Sequence, residues 1–342
     1  MLYLCITQKN NRESHLKLRY AFPLKNARLL IRYGGFFDKK VLVSKMKRLL
    51  VQVSVTEMEF QLCKKRLMAS LKNILQYFQN QADVLIVYQT ITGTVPEEDL
   101  FSHNSISVYC TSEHSVSKAR NKGICEAVKG GYRYILFHDS HIFVTRSFIE
   151  VSKAAIEQEK KILLGKLEWD ENYQNYDYPL NVPISFRKIR PNVLRDTYVW
   201  LYFISLELIK DIRFNEKIGP GEGNLINAGE DVLFLYTIFS KKNPPTLYYC
   251  REALIVHTPR PTDFSKQLAY AKAQGVLYRY MMERKSCPYY IYFYFMLHIL
   301  NTIYRIIGFK PKSLQIAKRR LVGFIDAEKN RRLISQRTDE GL

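Results

Sequence analysis

A doubly wound α/β domain is the fold class this sequence predicts, on two observations. Short β-branched runs alternate with segments of helical periodicity, making three strand-to-helix steps in roughly ninety residues. The polar residues that stand out, Asp139 and His141 among them, fall where those runs end, which is where a doubly wound sheet presents its ligand site.

The first run, residues 49–55 (LLVQVSV), reads as a buried strand behind the basic stretch 45–48, and the ordered domain is expected to start there. Leu67, Leu71, Ile74, Leu75 and Phe78 then recur at helical spacing within 59–79, with Lys64, Lys65, Arg66 and Lys72 between them. Residues 84–88 (VLIVY) make a second buried strand, 105–109 a third, 116–128 a helix, and 134–137 a fourth strand running into His138-Asp139-Ser140-His141. Beyond 150 the pattern loosens. Residues 161–164, 198–204 and 254–257 read as strands, 169–192 as a Tyr-rich, Pro-containing loop or set of short strands, and 230–239 as a helix. The expected division is a basic N-terminal extension (1–45), an α/β domain (46–265) and a basic helical tail (266–342).

Composition sets outer bounds on function. The 342 residues are 47% hydrophobic and 25% charged, ordinary for a globular protein, which excludes a disordered, collagen-like or small disulfide-bonded chain. Lys plus Arg number 52 against 32 Asp plus Glu, a net charge of +20, so an anionic partner is expected: nucleic acid, an acidic membrane surface or a phosphorylated ligand. Much of the excess lies at the ends, with twelve Lys or Arg in residues 1–50 against Glu13 and Asp38 alone. A nucleic-acid surface needs basic and aromatic residues interleaved on one face; with acids at the strand ends of the middle region, no nucleic-acid partner is expected. The six cysteines are scattered, without CxxC or zinc spacing, and read as reduced thiols of a cytosolic protein. Residues 1–7 are apolar but too short for a signal sequence.

Four groups carry candidate chemistry. Asp139 and His141 are two apart at a strand end, so on an extended strand both side chains point to one side and can share a divalent cation. Mn²⁺ accepts such mixed oxygen and nitrogen ligands, whereas Mg²⁺ prefers oxygen; a plain polar turn is the other reading. Ser115-Val116-Ser117-Lys118-Ala119-Arg120-Asn121-Lys122-Gly123 opens a helix and can hold phosphate through backbone N–H groups, the dipole and its charges, or simply cap that helix. Gly219-Pro220-Gly221-Glu222-Gly223 precedes Gly229-Glu230-Asp231 at a further helix start, where the dipole favours acids in any case. His257 ends an apolar strand, a place where a lone His is structural more often than ligating.

In this order the four groups resemble the family-two nucleotide-sugar glycosyltransferases of GT-A fold, the type found in bacterial capsule and O-antigen synthesis. The family's helix start appears as Ser117 and Ala119-Arg120-Asn121-Lys122-Gly123, its Asp-x-Asp strand end as Asp139-Ser140-His141, its Gly-x-Gly as Gly219-Pro220-Gly221, its helix-opening triplet as Gly229-Glu230-Asp231, and its late His as His257. The resemblance covers about residues 48–260. It implies a Rossmann-like, doubly wound mixed sheet with a basic helical C-terminal extension. It also implies a metal-dependent, inverting enzyme that moves a sugar from a nucleoside diphosphate to a hydroxyl of a glycan, lipid-linked in many bacterial members.

By the same resemblance Asp139, His141 and His257 hold Mn²⁺ (or Mg²⁺), and Arg120, Asn121, Asp139 and Gln89 contact the donor nucleotide. Asp231 acts as base, with Glu230 the second candidate, and Gly221 meets the acceptor; Trp200 is a further candidate for stacking on the acceptor sugar, a buried Trp on a strand being at least as often core. Two residues depart from the pattern. His141 replaces the second acid, as in the Asp-x-His of the polypeptide N-acetylgalactosaminyltransferases, and Gln89 stands in Tyr88-Gln89-Thr90 where the family has a nucleotide-contacting acid. That missing acid keeps a second reading open, a non-catalytic partner of another transferase.

Residues 287–304 (CPYYIYFYFMLHILNTIY) hold no acid, Lys or Arg, a length that raises the question of a membrane span. Pro288, His298, Asn301 and the tyrosines make a poor hydrocarbon-spanning helix. An interfacial segment on an anionic membrane, at the inner face of the plasma membrane, is expected. Packing of this aromatic stripe against the α/β domain or a second subunit is the alternative.

Overall fold

The computed structural model describes residues 48–329 except 95, 97, 222, 223, 225, 260–262, 285, 286, 309 and 310; the expected extension 1–45 lies outside the described residues. The first element, β1 (Leu49–Thr56), is almost wholly buried, as a central strand must be. Thr56 ends it and caps α1 (Glu57–Phe78): its Oγ1 accepts the Glu59 N–H at 3.2 Å, and Glu59 Oε2 accepts the Thr56 N–H at 3.1 Å. β2 (Ala82–Gln89) and β3 (Ile106–Thr111) extend the sheet in parallel on one side of β1. α2 (Val116–Gly130) then leads to β4 (Tyr134–Asp139), parallel to β1 on its other side. That reversal at β1 creates a switch-point crevice at the strands' carboxyl ends. Gly123 allows α2 to lie close to β1, since a Cβ there would collide with the Gln52 side chain.

The remainder comprises β5 (Ile142–Val144), α3 (Arg146–Glu157), β6 (Ile162–Trp169), β7 (Arg187–Ile189), β8 (Tyr202–Ser205), the short α4 (Leu206–Ile209), α5 (Glu230–Phe239) and β9 (Leu247–His257). The strand order is β3-β2-β1-β4-β8-β6-β9-β5, with β7 paired to β9. β8 runs antiparallel between β4 and β6, while β9 is parallel to β6. The result is the mixed, doubly wound α/β sheet that the sequence predicts.

Two segments differ from expectation for identifiable reasons. Residues 198–204 do not form one strand. They open with a 3₁₀ turn, Val199–Leu201, and only then enter β8; these residues are buried, so the apolar run marks core rather than extended backbone. β9 starts seven residues earlier than the apolar run 254–257, because Arg251 and Glu252 interrupt the apolar pattern without ending the strand. Opposite them the β6–β9 register shifts between Leu164 and Lys166. Gly165 sits at that shift, where a Cβ would press against the Ala253 carbonyl at 2.9 Å.

Three helices follow: α6 (Phe264–Met282), α7 (Tyr289–Ile307) and α8 (Pro311–Lys329). The described residues group as one compact unit, and Ala273, Val276, Leu277, Tyr278 and Met281 of α6 belong to the same apolar core as the sheet. Leu277 packs where a Cβ on Gly229 would stand, 2.6 Å away, so α6 braces the turn that starts α5. α8 crosses α6 at two glycines: a Cβ on Gly275 would collide with the Arg320 carbonyl, and one on Gly323 with the Lys272 carbonyl. Gly275→Ala should therefore destabilise the protein by about 1–3 kcal/mol through overpacking, read by urea unfolding. Leu62→Ala, at an exposed position of α1, should leave stability within about 0.5 kcal/mol.

Candidate active site

The site forms at the carboxyl end of β4. The spacing of Asp139 and His141 predicts a shared strand face, yet β4 stops at Asp139 and a tight turn through Ser140 and His141 brings the two together. In that turn the His141 N–H donates to Asp139 Oδ1 at 2.9 Å. Burial raises the Asp139 carboxyl, but the His141 N–H and the electrostatic pull of the neighbouring His257, His141 and Arg120 side chains outweigh it and hold the group below its ordinary value. His138 points to the other face, with Nε2 at 2.8 Å from Ser70 Oγ. Burial pushes it down to about 4, so it is neutral and outside the site.

His257 ends β9 beside this turn. Its Nδ1 lies 2.6 Å from the Thr258 carbonyl, an acceptor, so Nδ1 carries the hydrogen and Nε2 the lone pair of the neutral ring. The His141 and His257 rings lie nearly parallel with centroids 5.8 Å apart. Cys63 of α1 stands with Sγ 3.1 Å from His141 Nδ1; burial, reinforced by Asp139 and Glu59, pushes its thiol up to about 11, so it is a neutral neighbour. One ionised carboxylate and two imidazoles are donors that suit a borderline cation such as Mn²⁺. Among the described residues, no three His, Cys, Asp or Glu side chains are grouped so that they could hold a metal ion.

Across from Asp139 lies a buried charge cluster. Arg120, on the inner side of α2, donates through Nη1 to Glu230 Oε1 at 3.3 Å and to Asp231 Oδ1 more closely still. Asp231 Oδ2 accepts the Val199 N–H at 3.1 Å. Burial opposes the Arg120 charge, but Asp231, Glu230 and Asp139 together raise its pKa. For both acids burial is the largest influence and moves them up. Glu230, with Asp231 beside it, reaches about 7, and Asp231 also rises despite Arg120 and the Val199 N–H.

The helix start at 115–123 is used differently from the phosphate cradle that the sequence predicts. Ser115 Oγ accepts the Lys118 N–H at 3.3 Å, the Val116 N–H donates to the Pro220 carbonyl at 3.2 Å, and Ser117 Oγ donates to the Ile218 carbonyl at 2.7 Å. Asn121 donates to the Phe214 carbonyl at 3.0 Å and to Glu216 Oε1 at 2.9 Å, and its Oδ1 accepts the Phe214 N–H. This turn thus clamps the segment 214–221 to α2. Gly221, expected on the acceptor side, forms part of the clamp: it bridges Ser115, and a Cβ at its φ of +154° would stand 2.5 Å from the His114 carbonyl. Gln89 is buried at the end of β2, with Nε2 3.5 Å from the Ser115 carbonyl.

Of the two readings of Trp200, the structure takes the core one and corrects the acceptor one: it is 1% exposed, stacked on Tyr198 at 4.9 Å and near His257 at 5.4 Å. It has no face to offer. Trp169, at the end of β6, is 43% exposed and 4.7 Å from the His257 ring. Sequence reasoning passes over Trp169, although its place at a strand end is a usable signal. It also misses Cys63 and the Val199 N–H, which only tertiary packing brings to the site.

No family model matches the chain, and no curated protein matches it. Among solved structures, the crystal structure of Staphylococcus aureus TarS residues 1–349 is similar at 14% identity and a TM-score of 0.45, covering 70% of this chain and 66% of that one. The same protein in complex with UDP-GlcNAc is similar at 15% identity and a TM-score of 0.48, over 70% and 67%. This chain thus spans about two thirds of the length of each.

Removing the buried cation should be costly. Arg120→Met is expected to lose about 3–5 kcal/mol in urea unfolding at neutral pH, because two carboxylates are left buried without a counter-charge; adding Glu230→Gln and Asp231→Asn should restore much of it. The Glu230 carboxyl, held at about 7 against an ordinary 4.5, binds its proton more tightly in the folded state. Relative to Glu230→Gln, the wild-type protein should therefore lose stability as pH rises from 4.5 through 7 and level off above.

Proposed function

We propose that the chain is an inverting nucleotide-sugar glycosyltransferase of GT-A type. It transfers a sugar from a nucleoside diphosphate to a hydroxyl of a glycan, lipid-linked and presented at the cytoplasmic face of a plasma membrane, in surface polysaccharide synthesis. One observation carries the reading: at the sheet's switch point, the Arg120–Glu230–Asp231 cluster lies within electrostatic reach of Asp139. A carboxylate pair with raised proton affinity beside an ionised strand-end acid is what proton removal next to a cation-bound diphosphate requires.

The acceptor oxygen attacks the anomeric carbon from the face opposite the diphosphate. The new C–O bond forms as the bond to the diphosphate oxygen breaks, and the acceptor proton passes to Asp231. For that Asp231 gives up one of its two bonds, to Arg120 or to the Val199 N–H, and Glu230 is the second candidate. Asp139, His141 and His257 are the residues that would hold a divalent cation, Mn²⁺ or Mg²⁺, once drawn closer together than they stand here, and such a cation would supply positive charge for the departing diphosphate. Arg120 keeps Asp231 oriented and adds its own field. Trp169 offers the exposed aromatic face for a sugar, whereas Gln89, buried at the end of β2, would reach a base only if the chain around it opened.

Incubation of the purified protein with a panel of nucleotide sugars and Mn²⁺ should reveal slow hydrolysis of one donor. Asp231→Asn should lower that turnover by ~10²–10⁴-fold with nucleotide affinity nearly unchanged. If Glu230→Gln rather than Asp231→Asn abolishes turnover, the two acids exchange roles. Absence of hydrolysis across the whole panel rejects the enzyme in favour of a non-catalytic partner.

A further inference from the structure

α7 is held to the protein by one side only. Ile291 is fully buried, and His298 Nδ1 lies 2.6 Å from the Tyr278 hydroxyl of α6. On the opposite side Tyr289, Phe293, Met296, Leu300, Tyr304 and Ile307 are all exposed, Tyr289 at 92% and Tyr304 at 74%. Their steps of three and four residues line them up as one apolar stripe about 28 Å long. No acid, Lys or Arg falls between Tyr289 and Tyr304. Among the described residues, no helix is long and apolar enough to cross a membrane.

The neighbouring helix supplies charge. α8 packs on α7 through Phe295 and Phe324, stacked at 5.3 Å, and on α6 through its glycine crossing. Between α6 and α8 runs a groove of about 340 Å³ lined by Leu268, Gln315, Lys318, Arg319 and Val322, two cations and no acid. Leu314, Leu321 and Ile325 are exposed on the same helix as Lys318. An apolar stripe that cannot span, on a helix packed against the one whose Lys318 and Arg319 no lining acid neutralises, matches the boundary of a bilayer, with acyl chains for the stripe and headgroup phosphates for the cations. A second copy fits less well, because it brings another +20 chain and a second Lys318/Arg319 pair to the same group of helices.

We infer that the outer face of α7, together with the Lys318/Arg319 groove, docks this protein on an anionic phospholipid bilayer, α7 lying in the headgroup plane and the two cations taking lipid phosphates. The inference extends the membrane side of the proposed function, but its physics is independent of catalysis.

Sedimentation of the full chain with vesicles tests it. Binding to vesicles of equal parts phosphatidylcholine and phosphatidylglycerol should fall roughly tenfold or more on phosphatidylcholine alone, in Lys318→Glu/Arg319→Glu, and in Leu300→Ser/Tyr304→Ser. Donor hydrolysis in solution should stay at the wild-type rate in both variants, since neither pair belongs to the site. Equal sedimentation of variants and wild type, or no binding to the phosphatidylglycerol vesicles, overturns the assignment. So does a halved mass in light scattering of the variants without lipid, which makes the face a contact between copies. Vesicle binding through these residues by a protein that hydrolyses no donor leaves the surface standing and removes the catalytic reading.

Discussion

One guanidinium held between two acids, all three out of water, constrains the rest of this structure. Burying the charges of Arg120, Glu230 and Asp231 costs several kcal/mol per ion unless geometry and further hydrogen bonds compensate. The surrounding chain is arranged to do that. The Val199 N–H fixes Asp231, Asn121 fixes Phe214, Ser117 fixes the Ile218 carbonyl, and the left-handed Gly229, φ +98°, starts α5 so that both acids enter its first turn. Phe214, Ile218 and Pro220 are thereby bound to α2, close to the buried charges. α6 contributes from outside, through Leu277 on Gly229, so the C-terminal helices are joined mechanically to the site.

The same cluster leaves a charge imbalance. Asp139 acts on both Arg120 and Asp231, so three carboxylates share a single guanidinium in a region of low polarity. Burial first, and Asp231 beside it second, push the Glu230 carboxyl up to about 7. Around this acidic point the chain as a whole carries +20. The long-range field draws anions while the local field draws a cation or a proton. A diphosphate accompanied by a divalent cation, the donor proposed above, is one ligand that would answer both demands.

How much of this is legible in the sequence depends on how local each cause is. β1 and β2 are legible because a continuous β-branched run between turn signals has few other uses, and α5 because its apolar run follows a glycine and two acids. The strand-end position of Asp139 and His141 is legible too, although a turn hydrogen bond rather than strand alternation unites them. Arg120 is recognisable as a site residue but not for its partners, which lie more than a hundred positions away. The two tryptophans show the same limit: residue type is silent on which ring faces solvent, and only the 3₁₀ turn at Val199–Leu201 buries Trp200 while the end of β6 exposes Trp169.

The central claim is that the acids and imidazoles at the end of β4 form a site for a cation-bound nucleoside diphosphate. Calorimetric titration of the full chain with a panel of nucleoside diphosphates, each with Mn²⁺ and with a chelator, tests it most directly. One diphosphate should bind, only with Mn²⁺, and Asp139→Ala should abolish that binding. Equal affinity with metal and with chelator, or binding that survives Asp139→Ala, would contradict the account.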